Sequence, residues 1–144
     1  MIFVVENEKE LGDRVWQEIK DKLPNPLRVG LKGDLGAGKT TLVCRIASHL
    51  GLKKIITSPT FNLRKLYELS IQGRTLFLQH IDLYRIENAS KVDLFEIKEW
   101  LDADNCITFV EWINNVPQFK DYLDLLINIE VQGEAKRKVE MTWL

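Results

Sequence analysis

The chain begins with an apolar run, "IFVVE", that reads as a β-strand, and then changes period. Through "NEKELGDRVWQEIKDKL" the apolar residues Leu11, Val15, Ile19 and Leu23 recur at helical spacing, which predicts an amphipathic helix. Asn7 followed by Glu10 makes a capping-box pattern at its start. The prolines of "PNP" at 24–26 end it, because proline has no N–H to donate and restricts the residue before it. "LRVGL" then reads as a buried strand entering a glycine-rich loop, and residues 40–50 as a helix that stops at Gly51.

Beyond that helix, "KKIITSPTF" passes through a proline turn into "FNLRKLYEL", where Phe61, Leu63, Tyr67 and Leu69 alternate as in a strand. "QG" at 72–73 turns this strand back into "TLFLQHID" as a hairpin. Alternation sets Leu76, Leu78, His80 and Asp82 on one face of the second strand, with Phe77, Ile81 and Leu83 on the other. Ser90, with Asp93 at the third position, opens a capped helix whose Leu94, Ile97 and Leu101 share a face. "CITFVEW" at 106–112 is a further buried strand. Leu125, Ile127, Ile129 and Val131 alternate in the next, and Val139, Met141 and Trp143 alternate after a second "QG" at 132–133.

The 144 residues contain no repeat, low-complexity tract or interdomain linker, so one α/β domain over 1–144 is expected. Hydrophobic residues at 45% and charged residues at 28% are those of a soluble globular protein with its own core. A net charge of -1 supplies no long-range attraction for a phosphodiester backbone, and the basic cluster "KRK" at 136–138 reads as a solvated edge. Cys44 and Cys106 form no CxxC pair and read as buried thiols, and the two histidines have no zinc-ligand spacing. No apolar run approaches the ~18 residues of a membrane span, and the N-terminus lacks a signal-like core, so a cytoplasmic protein is expected.

The chemistry is concentrated in "GDLGAGKTT" at 33–41, which satisfies G-x-x-x-x-G-K-[ST] between a strand and a helix. Glycine lets the backbone wrap phosphate oxygens closely, and successive N–H groups with the helix's positive end meet their charge. Gly36, Ala37 and Gly38 would form that cradle. Lys39 would reach the β- and γ-phosphates, the Thr40 hydroxyl would bind Mg²⁺, and Thr41 would face the α-phosphate. Such a site also needs an acid on a neighbouring strand to hold Mg²⁺ directly or through water. Asp82 and Glu111 each close an apolar strand at the carboxyl edge of the expected sheet, and position alone does not rank them. The chain has no N-K-x-D motif of GTPases, no L-S-G-G-Q signature of transport ATPases, and no arginine-rich lid of small-molecule kinases.

With these residues assembled, the chain resembles the bacterial TsaE (YjeE) family, small P-loop ATPases of tRNA threonylcarbamoyladenosine biosynthesis. The resemblance rests on "GDLGAGKTT" after the "LGDRV" helix, "SPTF" at 58–61, "HIDLYR" at 80–85 and "VEW" at 110–112, in that order. It implies a P-loop NTPase-like three-layer α/β/α domain with a central mixed, partly parallel sheet and a C-terminal antiparallel hairpin. It implies Thr40 and Glu111 as Mg²⁺ ligands, Gly36 through Thr41 as the ATP-binding segment, and Asp82 as the acid needed for hydrolysis alongside Lys39. Ser58 and Thr60 would lie on a switch-like loop near the γ-phosphate, although a proline turn with exposed hydroxyls is the simpler reading. His80 would orient a neighbour, Arg85 would pair with an acid, and Trp112 would pack either beside the nucleotide or in the core. The base would lie between the first helix, at Glu8, and the last hairpin, at Gln132. Ile113, Asn62 and Glu96 depart from the family's usual proline, threonine and glycine, and Glu8 from its small hydroxyl residue.

The implied function is ATP hydrolysis in the service of the TsaD–TsaB threonylcarbamoyltransferase, which modifies adenosine 37 of tRNA, with tRNA engaged only through that complex. The alternatives are a nucleotide-dependent binding module whose hydrolysis is incidental and a small-molecule kinase. Binding tRNA unaided is disfavoured by the charge balance.

Overall fold

A computed structural model describes residues 1–52, 56, 63–84, 86 and 91–144. The strands are β1 (Ile2–Val5), β2 (Leu27–Lys32), β3 (Arg64–Ile71), β4 (Arg74–Asp82), β5 (Cys106–Glu111), β6 (Leu125–Val131) and β7 (Arg137–Trp143). The helices are α1 (Glu8–Ile19), α2 (Lys39–His49) and α3 (Lys91–Asp102), and short 3₁₀ turns span Lys20–Lys22, Ile113–Asn115 and Pro117–Tyr122. All seven strands join one sheet in the order β1-β7-β6-β2-β5-β4-β3. Its centre is parallel: β2 pairs with β5 and β6, and β5 with β4. Antiparallel partners β3 and β7, with β1 beyond β7, finish the edges. This is the mixed, partly parallel α/β sheet with a C-terminal hairpin that the sequence implies.

Burial follows from which faces are covered. β5 is buried at all six positions because elements pack on both its faces, so its sequence is a continuous apolar run rather than an alternation. α1 and α2 cover one face, where Leu11, Val15, Leu42 and Ile46 meet Val29, Leu31, Leu78, Phe109 and Ile127. α3 and the 3₁₀ turns cover part of the other, around Ile81, Leu83, Ile97, Leu101, Val110 and Phe119. The strand alternation therefore assigns Leu76 and Leu78 to one core and Ile81 and Leu83 to the other, as expected. Gly30 belongs to this second packing: a Cβ there would lie 2.6 Å from a Leu123 methyl. No described helix is long and apolar enough to cross a membrane.

Several local expectations are adjusted. Asn7 caps α1 by accepting the Glu10 N–H at 2.8 Å, but the Glu10 carboxylate returns to the N–H of Glu6 rather than of Asn7. α1 ends at Ile19, and a 3₁₀ turn carries the chain to Leu23. Leu63 is not part of the Tyr67–Leu69 alternation: its φ of 59° lies before the strand, and it packs with the second core while they pack with the first. Gln72 and Gly73 both have positive φ, as a two-residue hairpin turn requires. Trp143 is exposed although Val139 and Met141 are buried. Cys44 is only half-buried, its thiol directed at the Ile56 carbonyl, and burial raises the pKa of both thiols. The Ser90–Asp93 cap falls outside the described residues.

Buried polar groups tie the layers together. The Gln79 amide donates to the Trp100 carbonyl and the Thr108 hydroxyl, both at 2.9 Å, and accepts from Arg64 Nε at 2.7 Å. Arg28 donates to the Leu101 and Ala103 carbonyls at the end of α3 and approaches Asp124.

Candidate functional site

Parallel pairing of β4 with β5 sets Asp82 directly opposite Glu111 at the carboxyl edge of the sheet. β2 runs parallel beside β5 and releases the chain into the glycine-rich loop at that same edge, where α2 begins at Lys39. The three motifs thus converge, as ligand sites of such sheets do. They surround a cleft of about 370 Å³ lined by Gly36, Gly38, Lys39, Thr40, Thr41, Asp82 and Glu111, with Glu8, Leu35, Tyr84 and Trp112 completing its wall. Gly38 has φ 109° at the cap of α2, a left-handed conformation that a side chain would strain.

At the cleft floor the Thr40 hydroxyl donates to Glu111 Oε2 at 2.8 Å. His80 Nε2 is hydrogen-bonded to the same oxygen. Glu111 is 3% exposed and His80 fully buried, so the bond between them is shielded from water. A carboxylate oxygen only accepts, so Nε2 carries the proton. His80 Nδ1 has no hydrogen-bond partner among the described residues. The structure thus puts His80 in contact with Glu111, the residue on which an orienting role would act.

Lys39 is 5% exposed. Its Nζ donates to the carbonyls of Gly33 at 2.5 Å and Asp34 at 3.0 Å and lies 4.2 Å from the Trp112 ring centroid. Burial pushes its ammonium below the ordinary lysine range, against the pull of Glu111, Asp82 and Asp34. Asp82 accepts the Tyr84 N–H at 2.9 Å, a local turn that fixes the carboxylate at the strand end. Trp112, at φ 61°, turns out of β5, and its ring sits 4.9 Å from that of Tyr84. It is half-buried on the cleft wall, not enclosed in the core.

Glu8 reaches the cleft from α1, whereas Gln132 is exposed and does not line it, its amide bonded to Glu130. Ala37 is buried and does not line the cleft. Ser58, Thr60 and Arg85 lie outside the described residues. The reading of "KRK" as a solvated edge is corrected at Arg137, which is 5% exposed and donates from Nε to the Ala37 carbonyl at 2.9 Å. The signal was available: Arg137 shares the parity of Val139 and Met141, the inward face of β7. Tyr84 and Leu35 were also missed, because nothing local distinguishes them from other exposed apolar residues.

A family model described as "Threonylcarbamoyl adenosine biosynthesis protein TsaE" matches residues 5–139. The chain belongs to the TsaE family. It is 32% identical over 115 residues to the TsaE protein of Haemophilus influenzae, covering 80% of this chain and 69% of that one. It is 36% identical over 112 residues to that of Bacillus subtilis, covering 78% and 66%. The Aquifex aeolicus TsaE protein is 33% identical over 140 residues, covering 96% and 92%. The chain thus spans about two thirds of the length of the first two relatives and nearly all of the third. The crystal structure of Bacillus subtilis YdiB superposes with a TM-score of 0.69 at 26% identity, covering 99% of this chain and 84% of that one. The fold is that of P-loop proteins, and the TsaE family's role is in tRNA threonylcarbamoyladenosine biosynthesis.

Proposed function

We propose that residues 1–144 act as one Mg²⁺-dependent ATPase domain in the cytoplasm, serving the TsaD–TsaB transferase during modification of tRNA adenosine 37. The observation that carries this reading is the hydrogen-bonded set Thr40–Glu111–His80 at the floor of a glycine-walled cleft that also holds Lys39. A hydroxyl and a carboxylate fit Mg²⁺, which takes few protein oxygens and completes its shell with phosphate and water. Bound Mg²⁺ would supply neutralisation of phosphate charge.

The protein's own part follows from its geometry. Lys39 exchanges the Gly33 and Asp34 carbonyls for phosphate oxygens, a favourable change for an ammonium held in a desolvated site. His80 fixes the rotamer of Glu111, so that its free oxygen keeps one direction. Asp82, opposite Glu111, orients the attacking water. Among the described residues no arginine lines the cleft, so slow hydrolysis without partners is expected.

A second reading, a nucleotide-dependent binding module, draws support from Leu35 and Tyr84, which are 70% and 43% exposed on the cleft wall. Such apolar residues suit a partner surface that responds to the occupant of the cleft. Depleting the protein and measuring threonylcarbamoyladenosine in bulk tRNA by mass spectrometry tests the biological role. An unchanged level defeats it. Hydrolysis lost with full modification retained in Asp82→Ala would favour the binding module.

A further inference from the structure

Arg137 stands at the start of the inward face of β7, and every acceptor it uses is a main-chain carbonyl. Nε donates to Ala37 and Nη2 to Gly36 at 2.9 and 3.3 Å. Nη1 faces the carbonyls of Gly133, Glu134 and Lys136 at 3.2, 3.3 and 3.0 Å. One guanidinium therefore joins the phosphate loop to the β6–β7 turn, 100 residues away. Among the described residues no carboxylate lies within salt-bridge distance of it. A cation that is 5% exposed without a counter-charge is uncommon, since carbonyl dipoles satisfy its N–H groups but leave its charge in place.

The peptide geometry says where that charge acts. In a trans peptide the C=O and the following N–H point in opposite directions. Fixing the Ala37 carbonyl on Arg137 turns the Gly38 N–H away from it. Gly38 lines the cleft while Ala37 and Arg137 do not, so the side away from Arg137 is the cleft side; the neighbouring Ala37 N–H is already taken by the Asp34 carbonyl at 3.0 Å. The positive charge lies one peptide layer behind, where little water intervenes to screen it.

We propose that Arg137 is a positioning residue of the phosphate cradle: it sets the orientation of the Gly38 amide and supplies a fixed positive charge whose counter-ion is the bound polyphosphate. This rests on the nucleotide-binding reading above and assigns it a residue outside the P-loop motif. It also makes the β6–β7 turn a mechanical neighbour of the loop, so that displacement of residues 133–136 alters phosphate affinity.

The test compares Arg137→Met and Arg137→Lys with Arg28→Met, a control that removes a guanidinium bonded to main-chain carbonyls far from the cleft. Dissociation constants for ADP and inorganic pyrophosphate are measured by calorimetry, beside melting temperatures without ligand. Arg137→Met should weaken both ligands about tenfold, the scale of one charge-assisted hydrogen bond. Arg137→Lys should fall between it and wild type, keeping charge but losing the fork. Arg28→Met should lower the melting temperature with unchanged affinities. A folded Arg137→Lys with wild-type affinity for both ligands overturns the proposal, even if Arg137→Met does not fold. So does a loss in the Arg137 variants no greater than that of the control. Failure of the wild type itself to bind ADP would instead overturn the nucleotide reading, and this inference with it.

Discussion

Replacing Lys39 by methionine separates what the lysine does for the fold from what it does for a ligand. The ammonium is desolvated, which lowers its pKa, and two carbonyls and the Trp112 face are its compensation. Below the lowered pKa the folded state carries this penalty in full; it fades as pH rises through that pKa and is gone at the ordinary lysine value of ~10.4. Methionine removes both the penalty and the compensation while keeping most of the volume, so at neutral pH stability should change by only about 1 kcal/mol. For a protein of this size that moves the melting temperature by roughly 3 °C. Binding is different. Two charge-assisted bonds to phosphate at about 1.5–3 kcal/mol each amount to roughly 3–6 kcal/mol, or about two to four decades in Kd. Calorimetric titration with ATP and Mg²⁺, beside thermal melts without ligand, checks both halves. ATP affinity within a few-fold of wild type would refute the assignment of the cleft. A large loss of ligand-free stability would show instead that the lysine is mainly a structural staple.

Asp82→Asn keeps an acceptor for the Tyr84 N–H but loses the charge, so kcat for ATP hydrolysis should fall by about 10²-fold or more with Kd little changed; steady-state kinetics with parallel binding isotherms would expose a retained kcat. His80→Ala empties a fully buried site and frees Glu111 and should cost about 2–3 kcal/mol by urea denaturation, with His80→Gln recovering part of the hydrolysis rate by donating to the carboxylate; equal rates in the two variants would dismiss the orienting role. Asp13 is held below the usual carboxylate range, first by the His49 hydrogen bond and then by Arg45. A depressed carboxyl pKa stabilises the fold above the unfolded value of ~3.9 and loses that contribution as pH falls through the folded one. The stability gap between wild type and Asp13→Asn should accordingly be open above about pH 4 and close in acid, and a gap independent of pH would contradict this.

Much of this was legible in the chain because it is local. The 3.6-residue period of α1, the strand alternation through Leu76 to Asp82, and the phosphate-loop spacing depend only on side chains a few positions apart. So does the expectation that Asp82 and Glu111 close strands, which the register confirms by placing them opposite one another. What the period could not show is which face is covered. Trp112 reads as either core or nucleotide side, and a left-handed turn gives it both, packed against the second core and beside Lys39. Arg137 reads as solvated edge by composition, yet its parity carries it inward under the loop.

The sequence by itself determined the elements, the phosphate loop and, through motif order, the family. Tertiary structure alone decided the partnerships: Thr40 and His80 on one oxygen of Glu111, 71 and 31 residues away, and Arg137 beneath Ala37. The reason is physical. Local patterns report how each segment buries its own apolar side, whereas a buried polar group is satisfied only by whichever distant group the sheet order delivers to it.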